Sequence, residues 1–413
     1  MPRFQDLLKF LLWALFGCSA ILLTIKTIHF ADNINFFIDE LCNCQAAYNF
    51  ITKGSYTCNI LSNPFDPGIT SGIMVSWISG VIFALNGNLF VARLATSFFI
   101  ILQLFFLNYV FLKNKDTNTE EYFMFSFLGI FFLFHLPYWF GFMQSLGELQ
   151  GALLIGWGLL SYQKKPALAF IFWGMAVWLC KFIYLPLALF LGSAHCVSKK
   201  GSIVTKLNAS FKFVIFFLSP FFFWLLIIYI QHDLNFLANW WIIKFFNQVF
   251  GQKSGLFQSN SLTFIERLTE LEWGNWKRID QVTSILLIFV PVVISPFVII
   301  KKIFNNKQRE AFLLAGANLS LIIYAFWYFF MSAKMWARHS QPGLYLGFGI
   351  CIYLLFCIFK NYRDKRKFIL LILFISIFTW ESFSLKKHFP ITNSSPTYAR
   401  TCSDLFSSSC RGK

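Results

Sequence analysis

The chain has 413 residues, of which 57% are hydrophobic, 20% aromatic and only 13% charged. This composition excludes an ordinary soluble protein, because soluble cores are built from amphipathic segments and the apolar runs here are unbroken. The formal net charge of +17 would suggest a nucleic-acid ligand in a soluble chain. Here, however, Lys and Arg form short clusters between apolar runs, so we expect no nucleic-acid partner. The sequence has neither a Gly-rich phosphate-binding loop nor CxxC pairs at zinc spacing, which argues against an ATPase and a zinc protein.

Apolar runs of about 15–24 residues recur along the chain between short polar or basic stretches, which is typical of membrane-spanning helices. The first run continues to Ile28, longer than the apolar core of a cleavable signal, so we interpret it as a retained span. The pattern predicts an all-α polytopic membrane protein, a bundle of about 11 transmembrane helices. The predicted spans are Leu7–Ile28, Leu94–Leu112, Tyr122–Trp139, Leu149–Tyr162, Ala167–Cys180, Phe182–Val197, Phe213–Ile230, Val282–Ile300, Ala311–Met331, Leu344–Phe359 and Phe368–Trp380.

The predicted spans belong to one transmembrane domain, residues 1–381, with two long polar segments at 29–93 and 231–281 and a short polar tail at 382–413. Within the first segment, Ile69–Leu85 is apolar and uncharged for about the length that a tilted span needs. Counting it as a span would invert the orientation of everything that follows.

The Lys and Arg residues of the short loops decide this orientation, because they favour the cytoplasmic side. If Ile69–Leu85 does not cross the membrane, seventeen basic residues fall in the short loops of one side and only Lys181, Lys334 and Arg338 in those of the other. We therefore place the N-terminus in the cytoplasm and Ile69–Leu85 as an interfacial helix on the exported side, a position that suits Trp77. Both long segments and the tail are then exported, and the chemistry is expected there.

Half of the ten cysteines fall on the exported side in this topology. Cysteines in an oxidising compartment often pair, and Cys402 with Cys410, or Cys58 with Cys42 or Cys44, are plausible bridges. The sequence does not fix the connectivity, and free thiols without a role are the alternative.

An acidic pair, Asp39 and Glu40, follows the first span in the exported loop. Acidic residues are scarce, with only 18 in the whole chain. A carboxylate near a low-dielectric interface can have its pKa raised into a useful range and can take a proton from an attacking hydroxyl or amine. The alternative is structural: Leu41–Thr52 is expected to be a helix that ends before Gly54, and carboxylates at a helix N-terminus interact favourably with its dipole. From the residues alone, both interpretations remain open.

The stretches Asp39-Glu40, Ala46-Ala47-Tyr48 and Gly54-Ser55-Tyr56 resemble the first exported loop of GT-C fold glycosyltransferases that use polyprenyl-phosphate sugars. Members include protein O-mannosyltransferases, lipid A aminoarabinose transferases and related bacterial sugar transferases. The resemblance extends over most of the chain and implies a GT-C-like bundle with interfacial helices in the first exported loop. It also implies that Asp39 is the general base and Glu40 its partner.

The next stretch, from Phe65-Asp66-Pro67-Gly68 to Arg93-Leu94, is similar to the proline-marked interfacial helix of that family, which ends before an Arg-Leu pair. The resemblance makes Arg93 a candidate for binding the donor phosphate, and it agrees with the topology reached from the charges. The family usually has a second proline where this chain has Gly68, which leaves the local geometry open.

Two further candidates lie at exported ends of predicted spans. Glu148 resembles the second acidic position of the family, which often carries Asp there, and a carboxylate at membrane depth is expensive unless it has a role. Its structural alternative is capping of the following helix. Lys181, in Trp178-Leu179-Cys180-Lys181, resembles a Lys-bearing turn that would contact the donor phosphate; its alternative is a snorkelling side chain.

The segment Trp336-Ala337-Arg338-His339-Ser340-Gln341-Pro342 is similar to the Arg-Tyr-x-x-Pro element of the family, with His339 in place of Tyr. A guanidinium offers a fixed fork of donors that matches phosphate oxygens and keeps its charge at this depth. Arg338, with His339 beside it, is therefore the main candidate for binding the lipid phosphate. The alternative is interfacial anchoring through Trp336 and Lys334.

The resemblance and the topology together predict a bacterial inner-membrane enzyme that moves a sugar, with inversion, from a polyprenyl-phosphate donor to a lipid, glycan or protein acceptor on the exported side. The lipid bilayer is its other expected partner. No ligand spacing requires a cofactor, although Asp39, Glu40 and Glu148 could bind a divalent metal. The alternatives are a multi-span transporter or lipid flippase, which the apparent lack of internal repeats disfavours, and a polysaccharide polymerase or ligase, whose catalytic residues would fall late in the chain.

Overall fold

The computed structural model describes residues 4–33, 38–58, 72–113, 147–162, 164–232, 234–238, 243, 265–266, 277–331 and 341–359. The elements in these ranges are helical, which confirms the expected all-α architecture. The principal helices are α1 (Phe4–Asn33), α2 (Ile38–Lys53), α3 (Trp77–Asn86), α4 (Leu89–Lys113), α5 (Glu148–Ser161), α6 (Pro166–Met175), α7 (Leu185–Ser198), α8 (Ile203–His232), α9 (Lys277–Phe304), α10 (Gln308–Phe330) and α11 (Gln341–Phe359). The shorter elements are the 3-10 turns Ile73–Val75 and Phe182–Tyr184, the π-helical turn Ala176–Cys180 and the helical turn Leu234–Phe236.

Membrane-spanning helices are evident in the described part of the chain. Within α4, α8, α9 and α10, four segments are long and apolar enough to cross a bilayer: Leu89–Leu107, Ile203–Gln231, Ile285–Phe304 and Gln308–Phe330. Shorter apolar helices include Pro166–Cys180 and Phe182–Ser198, which correspond to two further predicted spans. The predicted spans Tyr122–Trp139 and Phe368–Trp380 lie outside the described residues.

The largest difference from the predicted boundaries occurs in α8. The helix begins at Ile203, whereas hydropathy placed the start of the span at Phe213 and left Lys206 and Lys212 in a loop. Hydropathy marks only the apolar part of a helix, and no Gly or Pro interrupts the chain between Ile203 and Pro220. The helix therefore extends past the apolar stretch.

The ambiguous segment Ile69–Leu85 contains the turn Ile73–Val75 and then α3. Helix α3 has ten residues, which makes it about 15 Å long, half of the roughly 30 Å of a hydrocarbon core. Helix α3 is thus shorter than a membrane span, and the interfacial position of Ile69–Leu85 stays a prediction. Trp77 at its start is 39% exposed, which suits a membrane interface.

The main apolar core lies among α5, α6, α7 and α8 and centres on Trp173. This side chain is fully buried, stacks on Tyr162 with ring centroids 5.8 Å apart, and donates its indole N–H to the carbonyl of Ile155 at 3.3 Å. Phe170 and Phe213 complete the aromatic group with an edge-to-face contact. This core holds the helices on either side of Lys181 in place.

The contact between α9 and α11 depends on one glycine and supports a stability prediction. A Cβ added at Gly347 would lie 2.1 Å from the carbonyl oxygen of Leu287, whereas one added at Gly349 would meet nothing within 4 Å. Gly347→Ala is therefore expected to destabilise the protein by about 1–3 kcal/mol, the usual cost of overpacking. The matched control Gly349→Ala should be neutral. Thermal unfolding in detergent tests the difference; equal melting temperatures for the two variants would contradict the close contact.

The bundle has two ends that differ in charge. Tyr162, just after α5, bonds to Nδ1 of His195 at 2.7 Å, and its carbonyl accepts from Nη2 of Arg309 at 2.8 Å. We call this the Arg309 end, and the opposite end, where α5 begins, the Glu148 end. Basic residues of the described short loops gather at the Arg309 end, as the predicted cytoplasmic side requires. They are Lys164, Lys165, Lys199, Lys200, Lys301, Lys302, Lys307 and Arg309.

Three of the cysteines that the predicted topology places on the exported side lie within the described residues. Cys42, Cys44 and Cys58 are buried and present as thiols, so the bridges between Cys58 and Cys42 or Cys44 that the sequence left open are not formed. Cys42 and Cys58 belong to one apolar cluster, with Trp224, and Cys44 belongs to another. The predicted pair Cys402 and Cys410 lies outside the described residues.

Candidate functional site

The acidic pair occupies the first turn of α2. The predicted helix Leu41–Thr52 is confirmed and extends over Ile38–Lys53, so that Asp39 and Glu40 fall near its N-terminus. Carboxylates there are favoured by the helix dipole. The structural interpretation of the pair is therefore compatible with the fold, and the catalytic role of the pair stays a prediction.

Helix α2 carries buried polar side chains that the sequence analysis missed. Asn43, Gln45 and Asn49 are buried at 4%, 5% and 4% exposure. The Asn49 side-chain amide donates to the carbonyl of Thr57 at 2.8 Å, which ties the helix to the loop that follows it. The only sequence signal was a set of amides among small residues within a predicted helix.

The short turn Ile73–Val75 packs between α2 and the start of α5 and contacts both. The hydroxyl of Ser76 donates to the carbonyl of Asn43 at 2.6 Å, which anchors the turn Ile73–Val75 on α2. On the other side of the turn, a Cβ at Gly147 would lie 2.9 Å from Cγ2 of Val75. Gly147 has φ +90°, a conformation that favours glycine. The acidic helix and the first residue of α5 are thereby held at the same end of the bundle.

Two of the predicted site residues form an ion pair at this end. Nζ of Lys181 lies 3.1 Å from Oε1 of Glu148, and the side chains are 20% and 2% exposed. The second oxygen, Oε2 of Glu148, is buried without a hydrogen-bond partner among the described residues. Taking a carboxylate out of water is costly unless it is paired, so Lys181 compensates most of the burial of Glu148.

The backbone around Lys181 is irregular and fixes its side chain toward Glu148. The π-helical turn Ala176–Cys180 ends directly before Lys181, which is extended at φ −147° and ψ 122°. The hydroxyl of Tyr184 donates to the carbonyl of Glu148, and the N–H of Gly72 donates to the carbonyl of Cys180 at 3.3 Å. Single π-turns are rare and occur frequently at functional sites. Lys181 thus lies in an irregular turn between α6 and α7, and its role at the donor phosphate stays a prediction.

The first turn of α11 borders the same ion pair. The hydroxyl of Tyr324 donates to the carbonyl of Ile183 at 2.8 Å, and a Cβ at Gly343 would lie 3.1 Å from Cβ of Tyr324. Tyr345 lies within electrostatic range of Glu148. The predicted phosphate-binding residues Arg338 and His339 lie outside the described residues; the described chain resumes at Gln341, the first residue of α11.

Arg93 lies near the start of α4 and is almost fully buried, at 2% exposure. Its Nη1 donates to the carbonyl of Ala31 at 3.4 Å, close to the end of α1. Arg93 therefore joins the first turns of α4 to the end of α1. Its predicted contact with the donor phosphate stays a prediction.

The loop after α2 is attached to the end of α8 by a glutamine that the sequence analysis did not single out. Nε2 of Gln231 donates to the carbonyl of Gly54 at 2.8 Å, and the N–H of Tyr56 donates to Oε1 of Gln231 at 3.3 Å. Tyr56 packs edge-on against Trp224, with ring centroids 5.1 Å apart. Burial raises the pKa of the Tyr56 hydroxyl, so this group stays protonated. The loop that follows the acidic helix is therefore firmly held.

Metal ligands are not gathered in the part of the chain that the structure describes. Within those residues no three His, Cys, Asp or Glu side chains come together as a metal-binding group. Glu148, one of the three carboxylates that could bind a divalent metal, forms an ion pair with Lys181.

No family model matches the sequence, and no curated protein matches it. Among solved structures, the fold is similar to the crystal structure of ArnT from Cupriavidus metallidurans in the apo state, with a TM-score of 0.53 and 12% sequence identity. The similarity covers 82% of this chain and 59% of that structure, so this chain spans well under two thirds of the length of ArnT. The chain therefore has the polytopic membrane fold of ArnT, a GT-C fold glycosyltransferase, and the GT-C architecture expected from the sequence is confirmed.

Proposed function

We propose that this protein is a membrane glycosyltransferase that moves a sugar from a polyprenyl-phosphate donor to an acceptor. The observation that carries the proposal is the buried Glu148–Lys181 ion pair, 3.1 Å between Nζ and Oε1, at the end of a GT-C fold that also holds the start of α2. A cation and a carboxylate-bearing helix at one end of the bundle supply the two groups that sugar transfer from a lipid phosphate requires: one for the leaving phosphate and one for the acceptor proton.

In this mechanism Asp39 acts as the general base. The acceptor hydroxyl or amine attacks the anomeric carbon, its proton passes to the Asp39 carboxylate, and the bond between the anomeric carbon and the phosphate oxygen breaks. Attack from the side opposite the phosphate inverts the anomeric configuration. Glu40 assists Asp39 from the same helical turn.

The leaving polyprenyl phosphate takes the bonding electrons and gains negative charge, which Lys181 and Arg338 stabilise. In this proposal the Lys181 ammonium group, which has three N–H donors, contacts both Glu148 and the phosphate. Glu148, predicted as the second acidic residue of the catalytic site, acts in this proposal through Lys181, whose ammonium group it positions. His339 and Arg93 complete the proposed cationic surroundings.

The basic residues of the short loops support an assignment of the two ends of the bundle to the two sides of the membrane. The described short-loop lysines gather at the Arg309 end, which supports a cytoplasmic location for that end under the positive-inside rule. The Glu148 end then faces the exported side of a bacterial inner membrane, where lipid, glycan and protein acceptors are accessible.

Donor turnover by the purified protein tests the proposal. The full chain, reconstituted in liposomes, is incubated with labelled polyprenyl-phosphate sugars and a panel of glycolipid, glycan and peptide acceptors. The expected result is release of polyprenyl phosphate and a product with inverted anomeric configuration, without nucleotide sugar. Consumption of a nucleotide sugar instead, or movement of the intact donor between leaflets without bond cleavage, would contradict it; the latter would favour a flippase.

A further inference from the structure

A second basic site lies far from the proposed active site, at the Arg309 end. A cavity of about 490 Å³ opens between the link that joins α7 to α8 and the link that joins α9 to α10. Lys199, Lys200 and Lys206 line it from the first link, and Gln308 lines it from the second. Its volume falls within the range of pockets that bind small molecules or headgroups.

The three lysines of this cleft are not neutralised by carboxylates among the described residues. None of the residues that line the cleft is acidic. Glu310, which follows the lining residue Gln308 by two positions, is bound by Lys302. Arg309 is also engaged, because it lies 4.2 Å from the centroid of the Tyr162 ring and donates to the Tyr162 carbonyl. The cleft therefore concentrates positive charge and is suited to binding an anion.

The rim of the cleft is apolar and exposed. Val197 and Ile303, which line the cleft, are 54% and 43% exposed. At the adjoining start of α8, Ile203, Val204 and Leu207 are 75%, 69% and 63% exposed. In a chain that spans a membrane, such residues at the ends of the spans contact acyl chains. A free inorganic anion would contact only the lysines. A lipid would contact the lysines with its headgroup and the apolar rim with its acyl chains, so the two features together favour a lipid.

We propose that this cleft binds the phosphate headgroup of an anionic phospholipid of the surrounding bilayer. Basic pockets between transmembrane helices on the cytoplasmic side recognise such headgroups by point-charge contacts to phosphate oxygens. The start of α8 adds the positive end of its dipole to the lysines. The bound lipid joins the α7–α8 link to the α9–α10 link and stabilises the Arg309 end. The site is separate from the proposed active site and does not depend on sugar transfer.

Native mass spectrometry of the delipidated full chain with added lipids tests the proposal. We expect one molecule of phosphatidylglycerol to bind well above the level of phosphatidylcholine. The triple variant Lys199→Gln, Lys200→Gln, Lys206→Gln should weaken this binding by at least about tenfold, because each lysine near the membrane surface contributes to the attraction. The charge-preserving variant with arginine at all three positions should retain it.

The matched control removes the same charge at the same end outside the cleft: Lys164→Gln, Lys165→Gln, Lys301→Gln. It should change phosphatidylglycerol binding by less than about twofold. Equal losses in the two triple variants would overturn the site in favour of general electrostatic attraction. Displacement of the lipid by millimolar inorganic phosphate would overturn the assignment to a lipid headgroup.

Discussion

Asp39→Asn is expected to lower the rate of sugar transfer by about 10²–10⁴-fold, the usual contribution of a general base. The amide keeps the shape of the side chain but cannot accept the acceptor's proton. Asn also suits the N-terminal region of a helix, so α2 should remain folded. The rate of polyprenyl phosphate release by reconstituted protein, at matched amounts of inserted protein, measures the effect.

The structural interpretation of the acidic pair makes the opposite prediction for the same variant. If Asp39 only favours the N-terminus of α2, its loss lowers stability by about 0.3–1 kcal/mol and leaves the rate unchanged. Asp6→Asn is the matched control, because Asp6 lies near the start of α1, away from α2. An Asp39→Asn protein with the rate of the Asp6→Asn protein would refute the role of Asp39 as base.

Lys181→Met is expected to destabilise the protein by about 3–5 kcal/mol, the cost of breaking a buried ion pair. The variant leaves the Glu148 carboxylate, only 2% exposed, without its cation. Glu148→Gln should cost less, because Lys181 is 20% exposed and its flexible stem can carry the ammonium group toward solvent. Thermal or denaturant unfolding in detergent measures both losses.

The double variant separates the structural and the chemical roles of Lys181. Lys181→Met combined with Glu148→Gln removes both buried charges, so most of the stability lost in Lys181→Met should return. The rate of sugar transfer should not recover. The KM for the polyprenyl-phosphate donor should remain above that of the wild-type protein, because the donor phosphate still lacks the Lys181 cation. Additive losses of stability in the double variant would show that the two side chains do not act as a pair.

The helices were accessible from sequence because they depend on local properties. Unbroken apolar runs specify helices in a bilayer, and the charges of short loops specify sides. Helix α2 was predicted from Leu41 to Thr52, and the interfacial position of Ile69–Leu85 stays a prediction from the same charges. The start of α8 was missed because hydropathy does not detect a helix beyond its apolar stretch.

The internal geometry of the site was not accessible, because it depends on contacts between residues that are distant in sequence. Glu148 and Lys181 were singled out separately by resemblance, and only the fold joins them as an ion pair. The bond from Gln231 to Gly54 spans 177 residues, and nothing in the local sequence of either residue indicates it. The burial of the α2 amides could not be predicted either. An Asn or Gln side chain must find hydrogen-bond partners only when it is buried, and burial depends on the tertiary structure.

A cryo-EM structure of the reconstituted protein with polyprenyl phosphate bound would locate the donor phosphate. We expect the lipid phosphate at the Glu148 end, within hydrogen-bond distance of Lys181 or Arg338, in a cavity that Asp39 also faces. A phosphate bound only at the Arg309 end, or a cavity at the Glu148 end that Asp39 does not share, would contradict it.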